Sequence, residues 1–179
     1  IEEICELAMW APNHKRTWPW RFAHVKGEGR AAYGNTVADA LATAGKDADA
    51  VAKARTKFLR SPSLIVVGSA QGEDQLRTDE NRDAVAAGIQ TLLLAATARG
   101  LATYWGSCPP PAQKAVADFC GFAIVSLDED AVQSLINISE FCLFCKRSMR
   151  TQNQARLAVL FAGIHLSNRV NLLNAIALS

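Results

Sequence analysis

The segment DENRDAVAAGIQTLLLAATARGLATYWGS, residues 79–107, decides the fold. Small and apolar side chains occupy every face of a helix from residue 84 to residue 98, which predicts a helix that is enclosed on all sides. Acidic residues stand in its first turn, and Gly100 follows its end as a left-handed cap. A helix of about 20 residues is roughly 30 Å long, which is as wide as a small domain. We therefore expect a second copy of the chain to cover part of its flank.

Hydrophobic periodicity on either side of this helix predicts the other elements. The run SLIVVGSA, residues 63–70, is continuous and rich in β-branched residues, which is typical of a strand covered on both faces. The remaining elements are an N-terminal helix ended by Pro12, strands over 20–25 and 101–105, a helix bearing Tyr33, Val37 and Leu41, helices over 49–59 and 111–119, and a polar loop over 71–78. They predict an α+β fold in which helices wrap a small central sheet.

Composition narrows the class of protein. The chain has 179 residues, half of them hydrophobic, and this is enough for one well-filled core. Its formal net charge of +2 gives no general field for nucleic acid or a membrane surface. Five cysteines, an odd number, do not form a disulfide framework and favour a reducing, cytoplasmic setting. The first residue is Ile1, within an amphipathic helix, so we expect the natural N-terminus to lie upstream.

The character of the chain changes after Phe122. Residues 141–179 contain no acidic residue and five basic ones, and the apolar residues Leu157, Leu160 and Ile164 recur at helical spacing. This pattern predicts a core over 1–122 and an atypical basic, helical tail over 123–179. Extra helices packed on the core are favoured over an amphipathic helix that binds a partner or a membrane surface.

A dinucleotide fingerprint is one alternative that the sequence offers. Gly27 and Gly29 follow a predicted strand and open a predicted helix, and Asp47 lies at about the spacing of the ribose-binding acidic residue. The preceding strand carries His24 and Lys26, however, whereas the first strand of a Rossmann fold is buried and apolar. A plain turn is favoured, and a Rossmann-type NAD(P) dehydrogenase is kept as a second alternative.

The sequence gives only weak support for a metal site or for a hydrolase active site. Cys142 and Cys145 have CxxC spacing, but no second pair follows and His165 alone does not complete a site. Buried thiols in a helix are favoured, and no metal is expected. Serine, histidine and aspartate are present without a G-x-S-x-G elbow, so a hydrolytic triad has little support.

Basic and aromatic residues concentrate around APNHKRTWPWRF, residues 11–22. Cationic donors can hold a phosphate or an electron-rich ring, and indole surfaces can stack on one, which is what a flavin mononucleotide needs. An alternative is a solvated basic loop with tryptophans in the core. The residues concerned are His14, Lys15, Arg16, Trp10, Trp18 and Trp105.

Four motifs in this order, APNHKRTWPWRF, KGEGR, SLIVVGSA and AVAAGIQTLLLAATARGLATYWGS, resemble the nitroreductase family of FMN-dependent NAD(P)H oxidoreductases. The resemblance covers residues 1–122 and is closest to the compact, single-domain branch of that family. It implies a homodimeric flavoprotein with FMN at the subunit interface and the central helix packed against its mate.

The resemblance also implies site residues. Trp10 and His14 match positions that contact FMN, and Lys15 or Arg16 could offset phosphate charge. At the end of the strand that follows the central helix, the matching positions are Trp105, Gly106 and Ser107. The segment assigned to NAD(P)H in that branch is Ala95, Ala96, Thr97, Ala98, Arg99 and Gly100.

The implied function is an oxidoreductase that moves a hydride from NAD(P)H via flavin to a nitroaromatic, a quinone or a similar acceptor. The flavin carries the chemistry, so no catalytic side chain is expected. Three features depart from the family. Its basic cluster for the FMN phosphate would lie before Ile1, and Trp18 occupies a place usually held by Gln or Glu. After Phe122 the family implies a hydrophobic strand and a C-terminal arm that embraces the partner subunit, and the basic tail predicted here matches neither. The first alternative is therefore a truncated, flavin-free nitroreductase-like module with a binding role.

Overall fold

The computed structural model describes residues 1–122 and 139–145. In chain order, the regular elements of these residues are α1 (Glu2–Ala8), β1 (Trp20–Lys26), α2 (Gly29–Thr43), α3 (Ala48–Lys57), β2 (Ser63–Ser69), α4 (Gln75–Ala98), β3 (Leu101–Ser107), α5 (Gln113–Phe119) and β4 (Ser139–Cys145). Short 3₁₀ turns occur at His14–Arg16, Phe58–Arg60 and Pro110–Ala112.

The strands form one antiparallel sheet in the order β1-β2-β4-β3. β2 is an inner strand, and its Leu64, Ile65, Val66 and Val67 are completely buried. This confirms the strand that the apolar run predicts. Successive side chains of a strand point to opposite faces, so β2 supplies apolar groups to both sides of the sheet.

Helices cover both faces of the sheet. On one side α2, α3 and α5 pack against Leu64 and Val66. This core includes Tyr33 and Phe58, whose rings contact edge to face with their centroids 4.7 Å apart. On the other side α1 and α4 pack against Ile65 and Val67. The α+β architecture with a small sheet wrapped by helices is confirmed.

The central helix α4 begins earlier than the sequence indicated. Its N-cap is Asp74, whose side chain accepts a hydrogen bond of 2.7 Å from the Arg77 backbone N–H. The polar loop is therefore shorter than expected, and Asp79 lies in the second turn rather than the first. The end of the helix is confirmed, since Gly100 has φ +77°, the left-handed conformation that glycine adopts without strain.

The expectation that α4 is enclosed on all sides is wrong for the single chain. Gly88, Leu92 and Ala96 lie on the face against the sheet and are buried. On the opposite face Ala87 is exposed and Leu94 is 61% exposed. The sheet covers only one side of α4. Because most side chains of this helix are small, the sequence has no polar stripe that would identify the exposed side.

The antiparallel pairing of β1 with β2 contradicts the Rossmann alternative, because that fold requires parallel strands joined by a helical crossover. Gly27 has φ +55° in the turn between β1 and α2. Asp47 caps α3 by accepting a hydrogen bond of 2.8 Å from the Ala50 backbone N–H. Both residues therefore have local structural roles.

Part of the predicted helical tail is a strand. Ser139–Cys145 form β4 between β2 and β3, so the expectation of a helix around Cys142 and Cys145 is wrong. Residues 146–179 lie outside the described residues, and the division at residue 122 stays a prediction. Within residues 1–122 and 139–145, no helix is both long enough and apolar enough to span a bilayer.

Candidate functional site

The sheet register gathers three chain segments at one end of the sheet. Across the sheet, Phe22 of β1 pairs with Val67 of β2, and Val67 pairs with Ser139 of β4. Ser139 in turn pairs with Ser107 of β3. Adjacent strands are about 4.8 Å apart, so Ser107 lies about 10 Å from Val67 across the sheet. The loop before β1, the loop after β2 and the last residues of β3 therefore share this end.

The loop before β1, residues 13–19, is called the entry loop here. Its backbone is strained, because Lys15, Arg16 and Trp18 have φ angles of +60°, +55° and +50°. Such conformations cost non-glycine residues about 1–3 kcal/mol each and persist only where the surroundings enforce them. One enforcing contact is local: the Thr17 backbone N–H donates to Asn13 Oδ1 at 2.7 Å.

A second contact comes from the central helix. Asn81 of α4 is 3% exposed. Its Nδ2 donates to the Ala70 carbonyl at 3.0 Å, and its Oδ1 accepts from Thr17 Oγ1 at 2.5 Å. The Ala70 backbone N–H in turn donates to the Pro19 carbonyl at 2.8 Å. One buried amide thus ties the entry loop, the end of β2 and α4 together.

His14 is held by two charged residues of α4. Its Nδ1 lies 2.9 Å from Glu80 Oε1 and 3.1 Å from Arg77 Nη1, and Arg77 also contacts Glu80 Oε2. Hydrogen bonding from His14, followed by that from Arg77, lowers the pKa of Glu80. Because arginine can only donate, a proton on His14 Nδ1 directs that nitrogen to Glu80. His14 Nε2 is then the ring nitrogen that is available to a ligand.

Beside the entry loop is an open cleft of about 620 Å³, within the usual range for small-molecule sites. Three cationic side chains line it, Lys15, Arg21 and Arg77, together with one carboxylate, Glu73. Arg21 Nη1 donates to the carbonyls of Trp18 and Trp20 at 3.0 and 2.9 Å. The guanidinium is therefore anchored by neutral groups that leave its charge uncompensated.

The shape of the cleft depends on Gly72 in the loop after β2. A Cβ at this position would lie 2.3 Å from Arg77 Cβ and 2.7 Å from the Thr78 backbone nitrogen. The Gly72 N–H donates to Thr78 Oγ1 at 3.1 Å. The loop can therefore lie this close to the first turn of α4 only because position 72 has no side chain.

Six of the seven residues that the sequence assigned to a cofactor fall into two groups at this end of the sheet. His14, Lys15 and Arg16 lie in the entry loop, beside the start of α4. Trp105, Gly106 and Ser107 form the last residues of β3 at the edge of the sheet, and Trp105 is 45% exposed. Trp10, just after α1, is 85% exposed. The single chain thus leaves most of the Trp10 side chain and part of the Trp105 side chain accessible.

The six residues assigned to NAD(P)H lie elsewhere. They end α4 and precede β3, whose seven residues span about 20 Å, so this segment is at the opposite end of the sheet from Ser107. Arg99 there pairs with Glu3 of α1 and donates to the Ala95 carbonyl at 3.1 Å. Within one chain, these residues do not meet the entry loop, and their role stays a prediction.

Sequence reasoning missed Asn81, Glu80, Arg77 and Gly72 as site residues. Asn81 stands among charged residues near the start of α4, so the sequence carries no signal that marks its side chain as buried. For the metal alternative, the described residues contain no group of three or more His, Cys, Asp or Glu that could hold an ion. The side chains of Cys142, Cys145 and His165 lie outside the described part of the chain.

Comparison with known proteins agrees with this fold. A family model described as "Nitroreductase family" matches residues 1–138. The curated Escherichia coli (strain K12) protein named "Putative NAD(P)H nitroreductase YdjA" is 30% identical over 108 residues. The match covers 60% of this chain and 59% of that protein, so the chain spans under two thirds of that relative's length.

Solved structures match as well. A nitroreductase-like family protein from Bacillus cereus is 26% identical with a TM-score of 0.63, and the match covers 80% of this chain and 72% of that one. The FMN-dependent nitroreductase NfnB from Mycobacterium smegmatis, solved in complex with NADPH, is 14% identical with a TM-score of 0.57. That match covers 82% and 78% of the two chains and shows the fold alone.

Proposed function

This chain belongs to the nitroreductase family, and we propose that it is an FMN-dependent oxidoreductase that takes a hydride from NAD(P)H and reduces a nitroaromatic, a quinone or a similar acceptor. The observation that carries the proposal is the sheet register. It places the entry loop with His14 at the same end of the sheet as Trp105 and Ser107, although these residues are far apart in the sequence.

The donor set fits FMN. A flavin mononucleotide combines a planar aromatic ring with a phosphate, and it requires stacking surface, hydrogen-bond partners and positive charge. Trp10 and Trp105 offer exposed and partly exposed indole surface, and Lys15 and Arg16 are exposed cations on the entry loop. His14 adds a polar ring that Glu80 holds in place, and Arg77 in turn contacts Glu80.

When bound, FMN supplies the redox chemistry by accepting a hydride from NAD(P)H and passing electrons to the second substrate. The protein residues bind and orient. His14 would offer Nε2 to the ring, because Nδ1 is engaged by Glu80. Trp105 would form a wall of the flavin pocket, and the backbone of Gly106 and Ser107 would contact the ring. Lys15 or Arg16 would offset the charge of the phosphate. No side chain is assigned as a general base.

We also propose that the active form is a homodimer. The outer face of α4 carries Ala87 and Leu94, and Leu94 is 61% exposed. A second copy would remove this apolar face from water, at about 25 cal/mol for each Å² buried. Leu94→Glu should therefore give a monomer in light-scattering chromatography. Leu59→Glu should leave the dimer intact, because Leu59 is 47% exposed and lies in the turn whose Phe58 belongs to the core on the other side of the sheet.

The function is tested by steady-state oxidation of NADPH and of NADH by the purified full chain with added FMN and a nitroaromatic or quinone acceptor. Parallel lines in double-reciprocal plots are expected, because one substrate leaves before the other binds. A rate no greater than that of free FMN under the same conditions would refute the proposal. A protein that also binds no FMN would favour the flavin-free binding module.

A further inference from the structure

The cleft beside the entry loop concentrates positive charge. Its lining contains the three cations Lys15, Arg21 and Arg77 and the single carboxylate Glu73, and Glu80, which pairs with Arg77, offsets one more of these positive charges. The whole chain of 179 residues carries a formal net charge of only +2. The cleft is therefore a local feature, distinct from the general surface charge.

Two of these cations lack a carboxylate partner among the described residues. Arg21 is anchored by the carbonyls of Trp18 and Trp20, and no acidic group pairs with Lys15. Arg77 does pair with Glu80 and lies 3.9 Å from Glu73. A guanidinium that neutral acceptors hold in place keeps its charge and its remaining N–H groups for an oxyanion.

The backbone that forms the walls of the cleft is held in place by its neighbours. Lys15 is in a left-handed conformation at φ +60°, and Gly72 allows the opposite wall to lie against α4. Asn81, which lines the cleft, joins the two walls through Thr17 and Ala70. A concave site of about 620 Å³ suits a small molecule. The pre-organised walls favour recognition of a specific group.

We propose that this cleft recognises an oxyanion on a substrate of the enzyme, and that the enzyme therefore prefers substrates that carry a phosphate or carboxylate. This inference rests on the proposed oxidoreductase function. The oxyanion has two possible sources, the 2′-phosphate that distinguishes NADPH from NADH, and an acidic group on the electron acceptor. Lys15, Arg21 and Arg77 would bind either by charge-assisted hydrogen bonds, which leaves Arg16 to offset the charge of the FMN phosphate.

Direct binding tests the cleft without any requirement for activity. The full chain is titrated calorimetrically, at low salt, with adenosine 2′,5′-bisphosphate against adenosine 5′-phosphate, and with 4-nitrobenzoate against 4-nitrobenzamide. At least one probe that carries the extra oxyanion should bind about tenfold or more tightly than its partner, and the preference should shrink as salt rises. Equal affinity within both pairs would overturn the inference, whether or not the protein binds flavin.

Charge-removing variants locate the binding. Lys15→Gln and Arg21→Gln should each reduce the preference about tenfold. Lys26→Gln removes the same charge from the far end of β1 and should have no effect. Arg21→Lys keeps the charge and should retain most of the preference if Arg21→Gln disturbs the fold, as judged by circular dichroism. A preference that is unchanged in folded Lys15→Gln and Arg21→Gln would place the binding elsewhere and overturn the inference.

Kinetics then identify the source of the oxyanion. If it is the coenzyme phosphate, Lys15→Gln lowers the ratio of kcat/KM for NADPH to that for NADH and leaves the acceptor ratio unchanged. If it is the acceptor, the ratio for 4-nitrobenzoate to 4-nitrobenzamide falls instead. Loss of FMN from Lys15→Gln with both ratios unchanged would assign the cleft to the flavin phosphate and refute substrate recognition.

Discussion

Replacement of Asn81 by alanine should remove the buried contacts that hold the entry loop and the end of β2 against α4. The side chain is 3% exposed and makes hydrogen bonds of 3.0 Å to the Ala70 carbonyl and 2.5 Å from Thr17 Oγ1. Thr17 lies in an exposed part of the entry loop, so water can replace its lost partner. The Ala70 carbonyl, which is only partly accessible, has less opportunity to recover its hydrogen bond.

The expected cost follows from these contacts. Two hydrogen bonds contribute about 0.5–1.5 kcal/mol each, and a carbonyl left without its partner costs about 1–3 kcal/mol. Since these contributions overlap, Asn81→Ala should lower the free energy of unfolding by about 2–4 kcal/mol. For a chain of this size, this corresponds to a decrease in Tm of roughly 5–15 °C.

Urea denaturation measures this change, and the slope m should stay constant because the same surface is exposed on unfolding. Asn35→Ala is the matched control. Asn35 also lies inside a helix, is exposed and accepts a single hydrogen bond from Arg55, so the change in helix propensity cancels between the two variants. A loss for Asn81→Ala that equals the loss for Asn35→Ala would refute the tie between α4 and the entry loop.

Three further predictions concern packing and ionisation. Gly88→Ala would place a Cβ 2.5 Å from Trp20 Nε1. The overpacking cost of about 1–3 kcal/mol should exceed the gain in helix propensity of about 1 kcal/mol, so an unchanged or higher urea midpoint would contradict this reasoning. The folded pKa of Glu80 lies below its ordinary value of 4.5, so its stabilisation is present above that pH and is lost as pH falls through the folded pKa. Glu80→Gln should reduce the acid dependence of the urea midpoint, and an identical pH profile would argue against the contact with His14. Burial raises the pKa of Cys120 to about 11. Iodoacetamide should therefore modify Cys120 about a hundredfold more slowly in the folded protein than in urea, as followed by peptide mass mapping, and equal rates would show that the thiol is accessible.

Local sequence patterns were sufficient for most of the regular elements. The apolar run of β2, the face of α2 with Tyr33 and Val37, and the cap at Gly100 are each determined within a few residues, and all three are confirmed. The start of α4 could not be fixed in this way, because Asp74 and Asp79 are both plausible N-terminal residues. In the structure Asp74 is the N-cap, and the Gly72 N–H donates to Thr78 Oγ1 in the first turn, a contact that forms only on folding.

Tertiary context explains the other errors. Residues 139–145 form a strand because β2 and β3 supply hydrogen-bond partners on both sides, and no local periodicity records those partners. The enclosure of α4 was overestimated because small side chains are compatible with both buried and exposed positions. These features depend on contacts between segments that are distant in the sequence.

The candidate site likewise contains some residues that local sequence patterns indicate and others that only the folded structure identifies. His14, Lys15 and Arg16 were predicted because basic and aromatic residues cluster locally around them. Glu80 lies 66 positions from His14, and Asn81 lies 64 positions from Thr17. Such pairings can be read only from the folded chain.

The central claim is that the entry loop builds a flavin site, and titration of the purified full chain with FMN, followed by quenching of flavin fluorescence, tests it most directly. Saturable quenching is predicted for the wild-type protein, and His14→Ala should bind FMN about tenfold or more weakly, which corresponds to about 1.4 kcal/mol. His24→Ala, which changes an exposed histidine that contacts Ser63, should bind as the wild type does. Equal affinity in all three proteins, or no quenching in any of them, would contradict the account.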